Sequence, residues 1–109
     1  MIDSARLPLL AAVADRFKSL GEPARLRILQ VLRDGERTVS EIIELTGLGQ
    51  ANVSRHLRVL HEHGFVERRR EKLFVYYSLR GEDVFRLCDM MCARVEEDVT
   101  RTAESLRTA

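Results

Sequence analysis

Leu48–Leu60, LGQANVSRHLRVL, follows a Gly47-Leu48-Gly49 break and carries two faces at once. At about 100° per residue, Val53, Leu57 and Leu60 fall on one side of a helix, and Ala51, Arg55 and Arg58 on the other. Asn52 and Ser54 flank the second set. An outer face that is small, hydrogen-bonding and cationic is what a helix needs to enter a DNA major groove, where base edges offer donors and acceptors. The apolar side needs a scaffold, and the flanking sequence supplies one.

Upstream, residues 7–20 set Leu10, Val13, Ala14 and Phe17 at helical spacing, with Pro8 tolerated in the first turn and Gly21 as the stop. Pro23 opens a second helix through Ile28, Leu29 and Leu32 to Asp34-Gly35. Thr38-Val39-Ser40-Glu41 reads as a capping box that starts a short helix, with Ile42 and Leu45 inward and Gly47 as its end. Downstream of Gly64 the period changes: Val75, Tyr77 and Leu79 alternate with Phe74, Tyr76 and Ser78, a strand pattern in which the two tyrosines pack on opposite sides. Phe65–Leu79 therefore predicts a hairpin split at Arg70-Glu71-Lys72, whose tip lacks glycine and leaves the turn type open. Residues 82–107 form a last helix with Val84, Cys88, Met91, Val95, Val99 and Leu106 along one seam. So long a seam exceeds what a small core can cover, and dimerisation through it is the economical solution.

A chain of 109 residues, 45% hydrophobic, is expected to form a single domain over residues 1–109. No apolar stretch approaches a membrane span and the N-terminus has no signal-peptide pattern, so a soluble, cytoplasmic protein without a membrane partner is expected. Net charge is only +1, but its distribution is uneven. Residues 55–72 hold six Lys/Arg against three acids, and residues 82–109 four Arg against seven acids, which points to nucleic acid as the partner of the middle segment. Catalysis is excluded: there is no Gly-rich phosphate loop, and the two cysteines are spaced Cys-x3-Cys rather than Cys-x2-Cys.

Together these elements predict a mainly α (α+β) winged helix-turn-helix: five helices and a two-stranded β-hairpin wing in the order ααααββα. The second helix of the motif reads base edges while the wing's cations meet phosphates. In Phe17-Lys18-Ser19-Leu20-Gly21-Glu22-Pro23-Ala24-Arg25-Leu26-Arg27-Ile28-Leu29, Val53-Ser54-Arg55-His56-Leu57-Arg58-Val59-Leu60, Gly64-Phe65-Val66 and Val75-Tyr76-Tyr77-Ser78-Leu79, the chain resembles the ArsR/SmtB family of metal- and stress-sensing repressors. The resemblance covers roughly residues 12–92. It implies a homodimer paired through the first and last helices, bound to a double-stranded operator with two-fold symmetry and released by an inducer. By position it implies DNA contacts from Gln50, Asn52, Ser54, Arg55 and Arg58, and from Arg68, Arg69, Arg70 and Lys72 in the wing. Gly49 departs from the family's usual serine at the helix N-cap, which costs only a few tenths of a kcal/mol.

His56 lies about 60° from the apolar face and reads as a partly buried packing residue rather than a ligand. His61 and His63 have no Cys or Asp at ligand spacing. The resemblance also implies sensor positions that can be checked. Thr38-Val39-Ser40 stands where thiolate sensors carry Cys-Val-Cys, no histidine follows His63, and residues 22–35 contain no cysteine. What remains is Cys88-Asp89-Met90-Met91-Cys92, two sulfurs on neighbouring turns. No cofactor is obligatory; soft thiolates suit trivalent arsenic or antimony, or a soft metal ion, as inducer. Arsenite prefers three sulfurs, so a third ligand would come from a second chain, or a monoalkylated arsenical would suffice with two. Two alternatives stand beside this: a thiol-redox switch, since i,i+4 Cα atoms lie about 6.2 Å apart, within bridging range, and a ligand-independent regulator whose cysteines only fill space.

Overall fold

The computed structural model describes residues 6–108. Its elements follow in the order α1 (Leu7–Ser19), α2 (Pro23–Leu32), β1 (Arg37–Thr38), α3 (Val39–Thr46), α4 (Gln50–Glu62), β2 (Val66–Glu71), β3 (Phe74–Leu79) and α5 (Asp83–Thr108). The five helices and the hairpin wing lie where the sequence pattern puts them. One strand is additional: β1 pairs antiparallel with β3 through Arg37↔Tyr77 and Thr38↔Tyr76, giving a three-stranded sheet in the order β1-β3-β2.

Thr38 serves two structures. Its extended backbone (φ −77°, ψ 163°) closes the sheet, while its hydroxyl accepts from the Glu41 amide and the Glu41 carboxylate accepts from the Thr38 amide. That reciprocal box satisfies donors that the first turn of α3 would otherwise leave open. At the far end of α4, Gly64 takes φ 78° so that its own amide reaches the His61 carbonyl and the Phe65 amide reaches Leu60, a Schellman closure that turns the chain into β2.

The core is small and centred on the helix-turn-helix. Ile28, Leu29 and Leu32 of α2, Ile42 of α3, and Val53, Leu57 and Leu60 of α4 are buried with Val66, Tyr77 and Val84. Leu45, expected inward, is 50% exposed, and the buried position on that turn belongs to Thr46. The reason is local: the Thr46 hydroxyl donates to the Ile42 carbonyl (2.7 Å) and accepts from the Leu48 amide (3.3 Å), so a polar residue can be buried there with its hydrogen bonds made.

The hairpin turn also differs from the expected tip. Glu71 pairs with Phe74, leaving Lys72-Leu73 as a two-residue connection with Lys72 at φ 56°. This is the left-handed region that hairpin turns usually give to Gly or Asn. The terminal helices stand apart from the core. Of α1 only Ser19 is buried, and α5 buries only Val84 and Phe85 before running on with every later side chain exposed except half-buried Cys88. No described helix is long and apolar enough to cross a membrane.

Because Leu57 is buried and Leu45 is not, Leu57→Ala should lower the free energy of unfolding by about 2–5 kcal/mol and Leu45→Ala by roughly 1 kcal/mol or less. Urea midpoints of the two variants check the order; equal losses would contradict this core.

Candidate nucleic-acid interface

The turn between α3 and α4 decides where the two-faced helix points. Gly47 adopts φ 72° and its amide closes α3 on the Ile43 carbonyl, while Gly49 enters α4 as an extended N-cap without a side-chain bond. From there Val53, His56, Leu57 and Leu60 face inward. Gln50, Asn52, Ser54, Arg55 and Arg58 are all exposed on the outward side, as is Ala51. The five residues anticipated for this face are thus brought together on one surface.

His56 is more deeply placed than a partly buried packing residue. It is 3% exposed, and its Nδ1 accepts from Arg25 Nε at 3.1 Å. Arg25 also donates through Nη1 to the Ser19 carbonyl at 3.1 Å. Burial pulls the His56 pKa below the ordinary imidazole value, the Arg55 and Arg25 charges pull it further, and Glu22 opposes them.

In the wing, strand alternation sorts the cations. Successive side chains point to opposite faces, so Arg68 and Arg70, opposite Tyr77 and Val75, share the face of buried Val66. Arg69, opposite Tyr76, lies on the other side. There its guanidinium grips Glu36 through Nη2 (2.6 Å) and Nε (3.0 Å), reaches Glu71 through Nη1 (2.6 Å), and sits 4.5 Å over the Tyr76 ring. These bonds raise the Arg69 pKa and hold the Glu36 carboxyl below its usual range. Among the described residues, Arg55, Arg58, Arg68, Arg70 and Lys72 are exposed cations with no ion-pair partner. The sequence had grouped Arg69 with them; only the hairpin register separates it.

The two cysteines sit where α5 leaves the core. Cys88 is half-buried and Cys92 exposed, both lining an apolar cavity of about 280 Å³ with Phe17, Leu26 and Met91. Burial pushes the Cys88 thiol pKa up, and Cys92 and Asp89 add to it against Arg33. Burial thus works against the thiolate form of Cys88 rather than activating it. Among the described residues no three His, Cys, Asp or Glu side chains converge on a metal-sized space. Between the cysteines, Asp89 accepts two bonds from Arg33 at the end of α2 (2.9 and 3.2 Å), and the same guanidinium lies 4.7 Å over Phe85. Sequence periodicity carried no sign of this clamp, whose partners are 56 residues apart.

A helix-turn-helix with an exposed polar and cationic second helix, flanked by a basic hairpin, defines a winged helix-turn-helix domain. The family model for bacterial regulatory proteins of the arsR family matches residues 22–68. Two regulators of Mycobacterium tuberculosis are similar. Rv0081 is 36% identical over 104 residues, 92% of this chain and 91% of that protein. Rv0324 is 39% identical over 95 residues, 87% of this chain but only 42% of that longer protein. Among solved structures, the homodimeric winged helix-turn-helix DNA-binding domain of Mb0332 from Mycobacterium bovis superposes with a TM-score of 0.78 at 37% identity, covering 89% of this chain and 90% of that one. The chain belongs to the ArsR family of bacterial regulatory proteins. It is a DNA-binding transcriptional regulator.

The imidazole of His56 resists protonation in the fold, whereas in the unfolded chain it titrates near 6.5. The unfolded state then binds more protons below that pH, so this contribution to stability is present above pH 6.5 and is lost as the pH falls through it toward the folded pKa. Urea midpoints of the wild type should fall between about pH 7.5 and 5.5 by more than those of His56→Gln; an equal fall in both would show that His56 is not the group responsible.

Proposed function

We propose that this chain is the protomer of a cytoplasmic homodimeric repressor, one domain over residues 1–109, that binds a two-fold symmetric operator and releases it when a thiophilic inducer engages Cys88 and Cys92. The observation that carries the DNA reading is the unpaired Arg55 and Arg58 on the outward face of α4, beside Gln50, Asn52 and Ser54. Asn and Gln suit adenine edges and Arg suits guanine, so this face is equipped for direct readout. Arg68, Arg70 and Lys72 supply phosphate contacts beside it, while Arg69 braces the wing through Glu36 and Glu71.

Pairing through α1 and α5 is supported by what those helices leave uncovered. Leu10, Val13 and Phe17 on one, and Met91, Val95, Val99 and Leu106 on the other, are 39–75% exposed in the lone chain. Two-fold pairing buries such faces against their own copies and sets two recognition helices about one DNA turn, roughly 34 Å, apart.

The sensor reading rests on the two sulfurs beside the α2–α5 clamp. Burial of Cys88 disfavours the thiolate that soft-ion ligation and oxidation both use, so a ligand that carries its own acceptor for the thiol proton suits the pair. With a hydroxylated trivalent arsenical, each S–As bond forms as one hydroxyl leaves with the thiol proton as water. In-chain ligands stop at two, so inorganic arsenite draws its third sulfur from the partner subunit, whereas a monoalkylated arsenical is complete with Cys88 and Cys92. Drawing the sulfurs together strains α5 at Asp89 and Phe85, and Arg33 passes that strain to α2, whose Ile28, Leu29 and Leu32 share the core with α4.

Two measurements test these parts separately. In a salt series of operator binding, Arg68→Ala and Arg70→Ala should each reduce the log–log slope by about one phosphate contact, with Arg69→Ala reducing it less. A slope indifferent to all three removes the wing from the interface. Arsenite should weaken the wild type's operator affinity by roughly 5- to 150-fold, the usual range of allosteric coupling, and leave Cys88→Ser/Cys92→Ser unaffected. Equal release from the double variant would refute the thiol reading, and indifference of the wild type to arsenite and peroxide alike would make both cysteines packing residues.

A further inference from the structure

One planar group joins three helices. Arg25, in the first turn of α2, hydrogen-bonds backward to the carbonyl of Ser19, the last residue of α1, and forward to Nδ1 of His56 in the middle of α4. Both ends are fixed: Ser19 is 3% exposed with its hydroxyl bonded to the Arg16 carbonyl (2.7 Å), and His56 is 3% exposed between Arg55 and Leu57. We propose that Ser19, Arg25 and His56 form a positioning relay that sets the recognition helix relative to α1, and that the relay makes operator binding sensitive to acid.

The chemistry of each member is specific to that task. A guanidinium presents Nε and Nη1 donors at fixed angles, so it can span two acceptors that a lysine ammonium cannot hold in the same geometry. Nδ1 of His56 accepts only with a free lone pair, which places the ring proton on Nε2. An imidazolium has no acceptor, and protonation at Nδ1 aims a donor at a donor. It also sets a second cation against Arg25, with Arg55 adjacent on α4; among the described residues Glu22 at the start of α2 is the opposing charge acting on the ring, and α1 offers the Ser19 carbonyl, which Arg25 already occupies. Acid therefore withdraws the strut, and α4 loses its reference to α1 while the apolar packing of Val53, Leu57 and Leu60 remains. The inference rests on α4 being the helix that meets DNA.

The test uses the full chain and a duplex that the wild-type protein selects from a random-sequence library at about pH 8. His56→Gln keeps an acceptor for Arg25 and does not titrate, His56→Leu removes the acceptor, and Arg25→Lys keeps the charge without the bridge. From about pH 8 to 5.5 the wild type should lose affinity relative to His56→Gln by less than about tenfold, the limit set at that pH by an imidazole that titrates below 6.5. Arg25→Lys and His56→Leu should be weakened at least as much already at the higher pH, with circular dichroism showing the fold retained. Binding to a non-selected alternating A·T duplex, carried by phosphate contacts, should be alike in all four proteins. Superimposable pH profiles for the wild type and His56→Gln, or full affinity in Arg25→Lys, would overturn the relay; should His56→Leu not fold, those two comparisons still decide. A wild-type protein that enriches no duplex overturns the DNA reading of α4 and the relay with it.

Discussion

Val53, Leu57 and Leu60 must be buried for any of the remaining surface to be useful. Their packing against Ile28, Leu29, Leu32 and Ile42 fixes which way α4 is turned, and the polar half of that helix is exposed only because the apolar half is spent inside. The orientation of the α4 part of the interface follows from this one contact. The Gly47 turn sets the angle at which α4 enters it, the Gly64 closure sends the chain from its end into the wing, and β3 carries Tyr77 back under the same core. The domain is thus a small apolar centre with one helix held half in and half out.

Most of this arrangement was legible in the residues because it is periodic. Amphipathic spacing located all five helices, Thr38 and Glu41 announced the start of α3, and the alternation from Val75 to Leu79 announced the strand. What escaped has a common physical character. β1 is two residues long and has no period to detect, and one of its two residues, Thr38, is also the cap of α3. The turn at Lys72-Leu73 is made by residues with no turn preference, so register, not chemistry, placed it. Thr46 is buried through hydrogen bonds to its own backbone neighbours, which hydrophobic patterning overlooks in favour of Leu45. Arg25–His56 and Arg33–Asp89 join residues 31 and 56 apart, and side-chain bonds at such separations leave no trace in local sequence.

The arginines show how far identical side chains diverge once placed. Arg25 is a strut between buried acceptors, Arg33 a clamp on α5, Arg69 a brace held by two carboxylates and an aromatic ring, and Arg55 and Arg58 are free in solvent. Composition counts them equally toward a basic segment. The fold spends some on itself and leaves the others for a partner, and the division follows strand parity and helix face rather than charge.

Among the described residues of the lone chain, the helix α5 is gripped near its start, at Val84, Phe85, Cys88 and Asp89, and runs on exposed to Thr108. Mechanically it is a lever with its fulcrum in the first two turns. A helix of 26 residues is about 39 Å long, so a tilt of roughly 5° at the fulcrum sweeps its far end by about 3 Å. The sulfurs sit beside the fulcrum, where displacements are smallest and forces largest. A change there is magnified along the arm.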